Sequence, residues 1–183
     1  EEYQFGEAAR EIYDFLWGEY CDWYIEISKL SLYKGDEEAK RRVLGVLVEV
    51  LEHALRLLHP LMPFITEELW QRVPHQGESL IVAPWPEPGQ RDLAAEGEME
   101  LIMEMVRAIR NARSEYKVEP SHYIEGIIVA DERRDLILSQ AEIISALARI
   151  APEKLPIASS LEKAPAKALA LAIRDMEIYL PLK

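Results

Sequence analysis

Cysteine is nearly missing from this chain. Cys21 stands alone among 183 residues, which excludes an internal disulfide and suits a reducing, cytoplasmic compartment. Set among aromatic residues in a helical pattern, it is expected to act as a small buried hydrophobe. No apolar run reaches the roughly 20 residues that a membrane span requires, so no membrane partner is expected. No signal peptide opens the chain, and a start at Glu1 instead of methionine suggests a piece excised from something longer. The eight glycines are scattered as turns and loop ends, and no glycine-rich phosphate loop occurs. His53, His59, His75 and His122 fall in different elements. Glu49 and His53 share a helix face, but a bundle di-iron site repeats Glu-x-x-His on two helices, and the repeat is absent; no metal is expected. Positive charge is also short, with 21 Lys and Arg against 33 Asp and Glu, a formal net charge of −12. That balance opposes the basic footprint of a nucleic-acid binder. Net charge governs solubility and steering, however, and leaves local patches open.

The hydrophobic half of the composition, 49%, is enough for a sizeable core in one or two domains. Ala8, Ile12, Leu16, Tyr20, Trp23, Ile27 and Leu30 recur at three-to-four spacing, which predicts an amphipathic helix from Phe5 to about Leu30. Gly35 ends it, and Asp36 can cap a second helix over residues 37–58 with Leu44, Leu47, Leu51, Leu55 and Leu58 inward. Val43, Val46 and Val50 broaden that stripe, as in a helix covered on two sides. Glu52 and Arg56 form an i,i+4 pair. Pro60 must stop this helix, and Pro63 suits the first turn of the next. Glu67 and Glu68 then sit early in it, as a solvated pair favoured by the helix dipole. Leu80-Ile81-Val82 reads as extended, and Ala83 to Pro88 as polyproline-like, with Trp85 pinned against the bundle. A further helix runs from about Asp92 to Tyr116, with Ile102, Met105, Val106, Ile109 and Ala112 inward.

The pattern changes at Val118-Glu119-Pro120. Tyr123 to Ala130 reads as a strand, residues 134–149 as one helix, and Lys154 to Ile157 as a short strand. Ala168 to Ile173 and Met176 to Leu182 form a hairpin turning at Arg174-Asp175. The fold class is therefore mainly α: an antiparallel helical bundle over residues 1–118, with a small α/β unit over 119–183.

The wording at the proline corner is more specific than its physics. His59-Pro60-Leu61-Met62-Pro63-Phe64-Ile65-Thr66-Glu67-Glu68-Leu69-Trp70 resembles the anticodon-binding region of valyl-tRNA synthetases. So do Tyr20-Cys21-Asp22-Trp23-Tyr24-Ile25-Glu26 and the segment from Val106 to Glu115, in the same order and spacing. The resemblance implies a tRNA-holding fragment of a parent enzyme that joins valine to its tRNA with ATP and magnesium. It also implies valine-specific tRNA and the rest of the synthetase chain as partners, a monomeric state, a preceding helix and a following coiled-coil arm. The isoleucyl and leucyl relatives, and a helical module without RNA binding, remain as alternatives. Neither His-Ile-Gly-His nor Lys-Met-Ser-Lys-Ser occurs, so the adenylate-forming site of such an enzyme is not in this segment, and no catalytic residue or cofactor is expected.

One feature has binding character. The helix beginning near Asp92 carries Glu96, Glu98, Glu100 and Glu104 early, and Arg107, Arg110, Arg113 and Lys117 late. Acids early and bases late complement the helix dipole. The same stripe is suited to RNA phosphates. Arg41 and Arg42, near a helix start where cations are disfavoured, join it as candidates. Trp17, Trp23, Trp70 and Trp85 all lie in apolar patterns and are expected in the core.

Overall fold

The computed structural model describes residues 4–161, 163 and 165–182. The chain divides into two compact units, Glu1–Gln90 and Arg91–Lys183.

The first unit is helical. Helix α1 (Phe5–Asp14) continues unbroken through a π-helical stretch (Phe15–Ile25) into α2 (Glu26–Lys34). The wider winding departs from a plain α-helix and turns Tyr20 and Trp23 into the core. Tyr20 fixes that register by donating its hydroxyl to the Leu47 carbonyl at 2.8 Å. Cys21 is half-buried, not fully enclosed. Trp17 departs further from expectation: it is 62% exposed and stacks in parallel on the equally exposed Tyr13, ring centroids 6.5 Å apart.

Asp36 caps α3 (Glu37–Leu58) as expected, accepting from the Ala39 amide at 2.7 Å. The buried residues of α3 are Glu52, Ala54 and Leu55, all in its later turns. Leu44 and Val46, in the earlier turns, remain exposed, so the predicted two-sided cover is confined to one end. Pro63 occupies the first turn of α4 (Pro63–Trp70). Trp70 is wholly buried in a cluster with Leu55 and Leu80, flanked by Leu51, Val73 and Ala83. Its indole N–H donates to Glu52 at 2.7 Å, and Arg56 Nε donates to the same oxygen at 2.7 Å. His75 stacks over the indole with 3.7 Å between centroids.

Two features near this core differ from the sequence reading. Leu80–Val82 is a 3-10 turn, not an extended piece. Glu67 is the reason: it is not a solvated helix acid but a staple, accepting from the Leu80 amide at 2.9 Å and the Ser79 hydroxyl at 3.0 Å. Trp85 is 61% exposed; Arg56 clasps the neighbouring Pro84 carbonyl at 2.9 Å, so backbone and not ring secures the proline stretch.

The second unit opens with α5 (Leu93–Glu115), capped by Asp92, which accepts from the Ala94 and Ala95 amides, both at 3.1 Å. Every residue expected inward on α5, from Ile102 to Ala112, is buried. There follow β1 (Ile127–Val129), α6 (Arg134–Ser139), α7 (Ala141–Ala148), a 3-10 turn at Pro152–Lys154, β2 (Ile157–Ala158), β3 (Leu169–Ile173) and β4 (Met176–Leu180). The sheet order is β2-β1-β4-β3, with β1 parallel to β2 and antiparallel to β4. The Ala-Leu-Ala-Leu-Ala run is thus a strand, folding back on β4 around Arg174-Asp175.

Several predicted elements are shorter than expected; the strand placed at Lys154 to Ile157 is reduced to β2, which starts only at Ile157 because Pro152–Lys154 winds into a 3-10 turn. The single helix over 134–149 breaks at Gln140, whose backbone leaves helical geometry. The strand from Tyr123 joins the ladder only at Ile127, because residues before it pair with an irregular segment. Ile124 bridges Ile150, and the Gly126 amide donates to Lys154. A Cβ at Gly126 would meet Ile150 and Leu180 methyls at 3.2 Å, so this close approach requires glycine.

Candidate RNA interface

The inward stripe of α5 leaves Arg107 and Arg110 exposed, whereas Lys117, also exposed, lies past the helix end with left-handed backbone, so helical spacing does not align it with them. Arg110 is anchored there through Nε, which donates to the Leu147 carbonyl of α7 at 2.9 Å. Arg113 does not join that face. It is only 6% exposed, and its guanidinium donates to three main-chain carbonyls: Arg149 at 3.2 Å, Glu119 at 3.2 Å and His122 at 2.8 Å. Burial first, and the charge of Arg149 second, hold its pKa below the ordinary arginine value. Its cation therefore ties the end of α5 to the chain beyond, which corrects its predicted place among exposed phosphate contacts.

This tie gathers charge. A cavity of about 440 Å³ opens where α5 and α7 end, lined by Arg110, Arg113, Lys117 and Arg149, with Glu119 as the one carboxylate. Arg149 was not singled out in the sequence. It reads there as one more base at a helix end, and the packing of α7 against α5, with Arg110 donating to Leu147 and Arg113 to Arg149, brings it to the end of α5. It lies over the Tyr123 ring, 5.9 Å from the centroid, a cation–π distance. Both Lys117 and Arg149 have φ of 53°, in the left-handed region.

In the first unit, Arg42 has a local account: it pairs with Glu38 at 2.7 Å on the first turns of α3. Arg41 is exposed and borders a shallow concavity of about 540 Å³ with Glu49, Glu52, Arg56 and His75. Among the described residues no group of three or more His, Cys, Asp or Glu could hold a metal ion, and no helix is long and apolar enough to cross a membrane. The tryptophans divide: Trp23 and Trp70 are core, whereas Trp17 and Trp85 offer open ring faces.

The first unit thus carries exposed aromatic rings, and the second gathers cations at a helix end in an otherwise acidic chain. The sequence profile described as the anticodon-binding domain of tRNA ligase matches residues 1–128, and the chain belongs to that family. Among curated relatives, it is 44% identical to a valine–tRNA ligase of Halalkalibacterium halodurans over 98% of this chain and 21% of that protein. It is 42% identical to the valine–tRNA ligase of Geobacillus kaustophilus over 100% of this chain and 21% of that protein. The chain thus spans about a fifth of the length of these relatives, at 21%.

Proposed function

We propose that this chain is the anticodon-arm-holding part of a valine–tRNA ligase. Residues 1–118 serve as the anticodon-binding domain, and 119–183 as a small mixed subdomain. The observation that supports this most directly is the exposed pair Arg107 and Arg110 on α5, with Lys117 just past its end, basic in a chain whose net charge is −12. On this reading those side chains, with Arg41 and Arg42 in the first unit, hold the RNA backbone. Unpaired anticodon bases stack on open aromatic faces such as Tyr13, Trp17 and Trp85 and are read on their edges. Arg113 acts indirectly, by fixing the backbone on which Arg149 and Glu119 stand.

ATP and magnesium, which a parent ligase uses to activate valine, do not fit this segment: it has no glycine-rich phosphate loop and, among the described residues, no metal-holding cluster. They belong to the remainder of the proposed parent, which acts in the cytoplasm as a monomer. Filter binding tests the reading. The chain should retain valine-accepting tRNA, and a hairpin copying its anticodon arm should compete, while one with a scrambled loop should compete poorly. Equal competition by both hairpins would remove the anticodon from the reading and leave only general RNA affinity.

A further inference from the structure

We propose that Lys117 and Arg149 form a clamp for one phosphate group of bound RNA, in the cavity where α5 and α7 end. The inference rests on the RNA reading above and adds a site, centred on Arg149, that the α5 stripe does not contain.

Three observations carry it. First, both residues hold left-handed backbone just past a helix end, a position glycine fills without strain and a side-chain-bearing residue fills at a cost. Strained non-glycine residues collect where function over-determines the backbone, and here two of them, both basic, border one cavity. Second, the charges exceed what the helices need. Two helix C-termini bring together roughly one negative elementary charge. Glu119 adds one more, against the cations Arg113, Lys117 and Arg149. Positive charge is thus in excess by about one around a space of about 440 Å³. Third, the cavity holds suitable donors. The guanidinium of Arg149 presents a planar fork that suits an oxyanion, Lys117 a compact charge, and Ser114 on the same wall a hydroxyl. Arg113 supports the arrangement by donating to the Arg149 carbonyl at 3.2 Å, so one buried cation positions another at the rim.

The simpler alternative is that both bases only neutralise helix ends. Glycine substitution separates the two, because it relieves the backbone while deleting the charge. Lys117→Gly and Arg149→Gly should each keep or raise the melting temperature of the 183-residue chain. Each should also weaken binding of an anticodon-arm hairpin and lower the log–log salt slope by about 0.7–0.9. Equivalently, the affinity lost between 50 and 200 mM salt should shrink roughly threefold. Inorganic phosphate should shift the amide resonances of Lys117 and Arg149 in the parent chain and not in the double variant. Lower melting temperatures with unchanged hairpin affinity and slope would overturn the clamp and leave the anticodon reading intact. Phosphate-induced shifts without hairpin binding would uphold the clamp as an oxyanion site and overturn the anticodon reading. Silence at both amides with either probe would overturn the clamp.

Discussion

Trp70 joins a large apolar ring to a single polar obligation. Its indole fills the space between Leu55 and Leu80, while its N–H meets a carboxylate that is itself only 7% exposed. Removing the ring should create a cavity that α4 cannot close, so Trp70→Ala should cost about 3–5 kcal/mol in urea denaturation. Trp70→Phe keeps much of the volume and deletes the N–H, and should cost about 1.5–3 kcal/mol, the range for a hydrogen bond to a charged group. A nearby carboxylate sets a pH dependence. Hydrogen bonds from Gln71, then Ser79 and the Leu80 amide, hold Glu67 below its ordinary value of 4.5. A depressed folded-state pKa contributes stability that is complete above the unfolded value and is lost as pH falls through the folded one. Melting temperature should therefore decline on the acid side of 4.5, and Glu67→Gln should flatten that decline.

Among the elements, α5 was the most legible in the sequence, because its cap, its apolar period and its charge gradient agree. Asp92→Ala should lower stability by about 0.5–2 kcal/mol in thermal denaturation, the usual worth of such a cap. Arg113 was misread for a physical reason: spacing places it beside the exposed stripe, but nothing local announces three carbonyls waiting from distant chain. Arg113→Met should destabilise by about 3 kcal/mol or more, since each acceptor left dry costs about 1–3. A change below about 1 kcal/mol would show that water replaces the guanidinium. The π-helical stretch was invisible for a similar reason, its apolar spacing being compatible with an ordinary helix. The exposed Trp17 lies within that stretch. The hairpin was readable because Arg174-Asp175 punctuates two strand-like runs. The break at Gln140 had no proline or glycine to signal it.

For the whole molecule, affinity and chemistry should separate. With neither adenylate-site motif in the chain, the purified protein should show no valine-dependent ATP–pyrophosphate exchange and no aminoacylation. Detectable exchange would place a reaction centre where none has been described. Binding should instead be dominated by a few local cations, so Arg107→Ala and Arg110→Ala should each weaken tRNA of any sequence by similar amounts and flatten its salt dependence. If tRNA affinity survives both changes while the melting temperature falls, the stripe serves the helix end and the RNA surface lies on the first unit.

The strand order of the second unit bears on how the chain is born. Because β4 lies between β1 and β3, the last strand of this sheet to leave the ribosome is an interior one. Until Leu180 emerges, β1 has a partner on one edge only, and Ile128, wholly buried when folding is complete, waits with its neighbours in water. The helical unit, which forms a compact cluster of its own, is free to fold while the sheet is still waiting. A nascent chain stalled before Met176 should accordingly carry a protease-resistant first unit and a protease-sensitive second one.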